Sequence, residues 1–341
     1  MTSRLRALVS PRTARPKRSR HRRRLGLLLV VAGLVTSIPT PAHSQAYCAL
    51  RDPVREIHEL YPEATDYRSL VRTVGDAARR QVETTLSFQP HFNELGRHTL
   101  YAVLDDIQPL GLVHVRSEKG RWGLVEMAWA LDFDLRIVDF RLQRCRDPAR
   151  RTIEADAFRQ QIMGKRLDEI AQLLTPDGDA IETDRLDVPE RARPLAAAVL
   201  RCALKTSVVT GAVWEDDLRF LRMEGRAVRD FPGAHELERL PAPDLDELRV
   251  ASPTGAAPEP LGSTGVTTAV VRALDETGRT LGLVVGLRND GEEATHQELW
   301  SVTTGDAPVV VPPAGASHAL ESPSWQHGRL VALARLLGVR S

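Results

Sequence analysis

A chain of 341 residues with 42% hydrophobic content is long enough for two globular domains, or for one domain with a large extension. Its net charge of +1 hides an asymmetry. Met1 to Arg24 carries ten Lys or Arg and no acid, and the chain beyond residue 46 holds 36 basic against 45 acidic residues, a net of −9. An acidic body argues against a nucleic-acid partner, and three cysteines without a Cys-x-x-Cys pair argue against a zinc ribbon or a dithiol redox site.

Residues 1–46 have the pattern of an export signal: a basic start, an apolar run from Leu25 to Ile38, then small residues in Ala42-His43-Ser44-Gln45-Ala46. The alternative is an uncleaved amino-terminal anchor, although the apolar run is shorter than the roughly 20 residues that span a bilayer. Either reading places the protein outside the cytoplasm, periplasmic or membrane-associated on the extracytoplasmic side. Asp52-Pro53 then reads as a helix start, with Val54, Ile57, Leu60 and Tyr61 on one face and Pro62 as the stop. Tyr67 to Val74 is strand-like, and Asp76 opens a second helix to about Leu86.

Thr99 to Cys145 organises the chain. Leu100, Ala102 and Leu104 alternate with Thr99, Tyr101 and Val103, and Asp105 to Pro109 turns the chain into Leu110–Val115. Ser117-Glu118-Lys119-Gly120 reads as a second turn, and Trp122 to Leu131 returns. Connections this short suit antiparallel pairing, because parallel strands need a long crossover. Further on, Asp156 to Met163 is a helix that Gly164 ends, Leu167 to Leu174 a second one, and Asp177 to Arg193 an acidic loop. Pro194 begins a strongly helical segment through Leu195, Val199, Cys202 and Ala203. It is either one long helix or breaks near Lys205-Thr206-Ser207, where a hydroxyl would cap a new one.

Six prolines between residues 232 and 265 mark a linker, and β character returns at Val266–Leu274, Leu281–Leu287 and Glu298–Thr303, followed by an amphipathic helix at Arg329–Leu337. The fold class is α+β: an antiparallel sheet with helices packed on one face, then a smaller β-rich domain. The boundaries are 1–46 for the signal or anchor, 47–225 for the first domain, 226–265 for the linker and 266–341 for the second domain. Leu104-Asp105 with Leu110-Gly111-Leu112-Val113 is echoed by Leu274-Asp275 with Leu281-Gly282-Leu283-Val284. This is either a decayed duplication or convergence on a common hairpin pattern.

No Gly-x-Ser-x-Gly elbow and no phosphate-binding glycine loop occurs. His91 and His98 lack acids or cysteines at metal-ligand spacing. Asp132 and Asp134 read as a solvated face. Glu126, inside an apolar strand, is either an outward-facing side chain on a wet sheet face or a buried functional acid. Cys145 and Cys202 are a candidate bridge between sheet and helix in an exported chain.

The order of Tyr101–Val115, Gly120-x-Trp122-Gly123, Leu135-Arg136-Ile137-Val138-Asp139-Phe140, Phe158…Gly164-Lys165 and the Ala203–Val213 helical stretch resembles the FMN-binding domain of sodium-pumping quinone reductases, Rnf-type electron-transport complexes and nitrous-oxide-reduction regulators. The likeness runs from about Arg51 to Arg222 and includes Leu60-Tyr61-Pro62-Glu63-Ala64. It implies an exported electron-transfer protein with a membrane electron-transport complex or another extracytoplasmic protein as partner. In that family a Ser-Gly-Ala-Thr-x-Thr-Ser signature holds the flavin phosphate, and its first threonine can be esterified to FMN. Here Arg201-Cys202-Ala203-Leu204 precedes Thr206-Ser207, so the acceptor threonine is replaced by Leu204 and any FMN is non-covalent. The His-x-Glu-Thr loop of the family is replaced by Arg144-Cys145-Arg146-Asp147-Pro148. The resemblance assigns Lys205, Thr206, Ser207 and Thr210 to the phosphate at a helix start, where amides and the helix dipole favour anions. On that reading Lys205→Glu repels the anion with little effect on stability. The alternative is a non-catalytic binding or scaffold module that kept the domain and lost the flavin; no enzymatic reaction is assigned.

Overall fold

The computed structural model describes residues 51–89, 95–240, 266–288, 297–304, 309–311 and 330. The amino-terminal signal or anchor, His91, residues 241–265 and the closing helix at 331–337 lie outside them. The architecture is α+β, with two antiparallel five-stranded sheets and helices. The first sheet is a simple meander of β1 (Asp66–Val74), β2 (Gly96–Asp105), β3 (Gln108–Gly120), β4 (Gly123–Leu131) and β5 (Ile137–Arg144).

Alternation along these strands decides which helix covers which face. Leu100, Ala102, Leu112, Met127, Trp129, Leu131, Phe140 and Leu142 build the main core. Over it lie α2 (Asp76–Thr85), α3 (Arg150–Glu154), α4 (Asp156–Ile162), α5 (Leu167–Ala171) and α6 (Arg193–Val213). The opposite face, with Val103, Val113, Val115, Ala128 and Ala130, is closed by Ile57, Leu60 and Tyr61 of the short α1 (Val54–Leu60) and its cap.

Ser117 to Gly120, read from the sequence as a turn, belong to β3. The two-residue turn is Arg121-Trp122, followed by Gly123 at φ +104°. Polar composition suggested the turn, but Glu118 is fully buried and pairs across the core with α6, so the strand continues beneath that helix. The start of the expected linker is likewise structured. Residues 226–240 contain the end of α7 (Glu215–Asp230) and the strand β6 (Glu236–Leu240).

A second meander follows: β6, β7 (Val266–Leu274), β8 (Thr280–Arg288), β9 (Gln297–Thr303) and β10 (Val310–Val311). Helix α7 is shared between the two sheets. Its Leu218 and Leu221 join the first core, and its Met223 and Ala227 pack with Phe231 on Ala269, Val271, Ala273 and Val284 of the second sheet. Its buried Glu224 pairs with Arg68 of β1 at 2.9 Å and Arg239 of β6 at 2.7 Å, while Asp217 pairs with Arg72 of β1 at 2.8 Å. Buried carboxylates of one helix thus tie together an outer strand of each sheet.

The sequence echo extends much further in space. Tyr61 caps α1 and bonds Ala64, and Thr65 donates to Leu104 O; Phe231 caps α7 and bonds Ala234, and His235 donates to Leu274 O. The pairs Asp66↔Leu104 and Glu236↔Leu274 open the two meanders at a constant offset of 170 residues. After a turn one residue longer, Leu112↔Leu131 and His114↔Trp129 correspond to Leu283↔Val302 and Val285↔Trp300. Gly111 and Gly282 occupy equivalent places for the same steric reason: a Cβ would lie 2.2 Å from the Tyr61 hydroxyl in one and 2.1 Å from the Phe231 ring in the other.

Gly282→Ala is therefore expected to cost about 1–3 kcal/mol in urea unfolding, the usual range for overpacking. Adding Phe231→Leu should make the pair less damaging than the sum of the singles. At the β7–β8 turn, the Asp275 carboxylate accepts bonds from the Thr277 hydroxyl and the Thr277 and Arg279 amides, and these hold its pKa down to about 2. A depressed carboxylate stabilises the fold above its unfolded pKa and ceases to do so as pH falls through the folded value. Asp275→Asn should thus weaken the protein at pH 7 and be indistinguishable from the parent in unfolding measurements below pH 2.

Candidate functional site

The residues singled out for a phosphate lie in the middle of α6, which runs unbroken for 21 residues. The helix is apolar nearly all round, as a helix enclosed by a core must be. Its length and composition would also suit a membrane span, but 83% of the apolar window is buried inside the protein. Lys205, Thr206, Ser207 and Thr210 are all buried. The hydroxyls of Thr206 and Thr210 donate back to Cys202 O at 2.6 Å and Thr206 O at 2.7 Å, the mid-helix habit of threonine rather than that of a cap. Pro194 stands in the first turn of the helix, eleven residues before Lys205.

Because α6 crosses β3, its polar residues meet His114 and Glu118, which with the buried Arg116 alternate along the strand on its core-facing side. The Lys205 ammonium lies 3.4 Å from Glu118 Oε2 and donates to Ser117 O, with both side chains of the ion pair fully buried. Arg201, one turn earlier, lies 4.0 Å from Glu118 and donates to Gly178 O at 2.8 Å and Lys119 O at 3.2 Å. Burial pulls the Arg201 guanidinium below its ordinary value, opposed chiefly by Glu118. Further along, His114 Nδ1 meets Thr210 Oγ1 at 2.8 Å, and the imidazole packs edge-on against Trp214 with ring centroids 5.0 Å apart. The result is a polar layer sealed between sheet and helix.

These residues do not fit a flavin phosphate. A phosphate at a helix start needs unspent backbone N–H groups and accessible donors. At 205–210 the helix continues on both sides, the threonine hydroxyls donate inward, and Lys205 is committed to Glu118 and Ser117. Leu204, at the place of the family's acceptor threonine, is a core side chain at 1% exposure. The expectation that Lys205→Glu would hardly affect stability is also overturned, since it assumed a surface lysine.

The other polar candidates have structural tasks. Glu126 is buried on β4, with Arg144 NH1 3.0 Å from its Oε1, which replaces the reading of a solvated side chain. Asp132 Oδ1 accepts the amides of Asp134 and Arg136 and shapes the turn in which Leu135 takes φ +61°. His98 is buried, and among the described residues no three His, Cys, Asp or Glu side chains are grouped to hold a metal. A cavity of about 220 Å³ at Phe140, Arg141, Glu154 and Arg159 has its two guanidiniums directed at Asp139, so the charges there are balanced. Cys145 and Cys202 form no disulfide. Cys202 Sγ accepts Trp129 Nε1 at 3.4 Å inside the core, while Cys145 is half-buried just beyond β5.

The sequence reading missed the Glu118–Lys205–Arg201 cluster. Its signal was Arg201/Lys205 and Thr206/Thr210 at four-residue spacing within an otherwise apolar helix. Removing one member of a buried ion pair costs about 3–5 kcal/mol, because the other charge is left in a poor solvent. Glu118→Gln is accordingly expected to lower unfolding stability by that amount, and Lys205→Glu by at least as much. Glu118→Leu combined with Lys205→Met should recover most of the loss. Arg150→Ala, which opens a half-exposed pair with Glu154, should cost no more than about 1 kcal/mol.

No family model, no curated protein and no solved structure gives a significant match to this chain.

Proposed function

We infer that this chain is a binding or scaffold module of an extracytoplasmic assembly, similar in layout to an FMN-binding domain but working without flavin. The observation that carries the reading is the fate of Lys205: its ammonium is fully buried and held by Glu118 and Ser117 instead of facing an anion. Leu204 in place of an acceptor threonine agrees with it, and so do the inward-donating hydroxyls of Thr206 and Thr210. The extracytoplasmic setting rests on the basic-then-apolar pattern of residues 1–46 and the acidic body behind it. With such a site the work of the domain is recognition and positioning, since redox chemistry of this kind belongs to a cofactor.

Two measurements test the reading. Purified exported protein, incubated with excess FMN and passed through gel filtration, is expected to emerge without flavin absorption; one retained flavin per chain would restore the electron-transfer reading. Crosslinking in the native cell envelope should yield a defined heteromeric species containing this chain. Recovery of the chain solely as a monomer would remove the scaffold assignment.

A further inference from the structure

We propose that the tip of the β3–β4 hairpin is a membrane-docking element that seats this domain on a bilayer surface bearing anionic phospholipid. Trp122 stands there, in the two-residue turn with Arg121. It is 55% exposed, the only aromatic among the large exposed apolar side chains of the described residues. A Cβ on Gly123, the next residue, would meet nothing within 4 Å, so the tip stands clear of the body. An exposed indole alone is an ordinary surface feature; its surroundings single this one out.

Alternation sets cations around it. Lys119 follows the buried Glu118 and Arg97 precedes the buried His98, so both belong to the sheet face opposite α6. The start of β2 at Gly96 and the end of β3 at Gly120 lie at the same end of the antiparallel meander. Arg97, Lys119 and Arg121 are exposed and enter no ion pair among the described residues. Acids of that face are already engaged: Glu126 by Arg144, Glu56 by Arg55 and Gln143, and Asp52 by Tyr101. The acidic loop 177–187 belongs to the α6 side, where Gly178 O meets Arg201. From that side the hairpin base is held in place, since Lys119 N donates to Glu118 Oε1 and Lys119 O accepts from Arg201.

Cations around an exposed indole match a bilayer interface, where indole rings sit at headgroup level and Lys and Arg reach the phosphates. A projecting tip also suits a surface that needs no complementary groove. Charge fixes the orientation. The chain beyond residue 46 has a net charge of −9, so an anionic bilayer repels most of it and attracts this end. The contact rests on neither the scaffold nor the flavin reading; the extracytoplasmic setting decides only which leaflet is met.

The test mixes the exported protein with vesicles of phosphatidylcholine and phosphatidylglycerol whose acyl chains are brominated near the headgroup. The protein should sediment with the vesicles, less so as salt rises, and its fluorescence should be quenched in a way that Trp122→Ala abolishes. Trp129, Trp214 and Trp300 are buried and escape the bromines. Lys119→Gln combined with Arg121→Gln should lower partitioning about tenfold or more, as the loss of two charges at an anionic surface implies. Both variants should melt with the parent, because the altered side chains are exposed. Vesicles of phosphatidylcholine alone should give neither the salt dependence nor the quenching. Protein that stays in solution, vesicle-bound protein whose Trp122 is unquenched, or partitioning unchanged in the double variant would each overturn the assignment. A chain held to vesicles by its amino-terminal apolar run alone would give the last two results.

Discussion

The fold hangs on the burial of a charged pair between β3 and α6. Glu118 and Lys205 are fully buried, so each depends on the other, with Ser117 O and the nearby Arg201 supplying further polar contact. Such a pair adds little net stability over well-packed hydrocarbon, yet it penalises any register in which the two do not meet. An apolar helix can slide on an apolar sheet at modest cost; one carrying a buried ammonium cannot. The same contact that sets the position of α6 also removes Lys205 from solvent, so the constraint that builds the domain closes the place where a ligand phosphate was expected.

Helix α7 extends this logic to the second sheet. One face enters the core beneath the first meander and the other supports the second, while Glu224 and Asp217 hold arginines from both edges. The pairs Glu224 makes are about one-third exposed at their arginine ends and buried at the carboxylate, an arrangement that puts most of the desolvation cost on one partner. The two sheets are thereby joined through a shared helix, whose last turns fall within the start of the expected linker.

Much of this was legible in the residues. Period-two alternation in 99–145 announced the meander, Gly164 stopped its helix at φ +76°, and the β-rich carboxyl-terminal part emerged as expected. The errors share one physical cause. Ser117-Glu118-Lys119-Gly120 reads as a turn, and Lys205-Thr206-Ser207 as a helix start, because polar residues usually seek water. In this protein the two polar runs seek each other, and a contact between residues 88 positions apart leaves no local periodic mark. Whether Glu126 was buried stayed open for the same reason, its counter-charge Arg144 lying on a neighbouring strand. The boundary of α7 was hidden differently: apolar spacing carries across Trp214 without a break, although the helix ends there and another begins.

The matching geometry of the two meanders makes the chain its own reference sequence. Positions alike in both halves report what the scaffold demands: Gly111 and Gly282 under an aromatic cap, Trp129 and Trp300 inside, Asp105 and Asp275 at the turn. Positions that differ report what one half acquired or the other gave up. His114 corresponds to Val285. The folding pattern thus tolerates hydrocarbon where the first half keeps a histidine. That imidazole is a specialisation of one half, laid over a meander pattern that has no need of it.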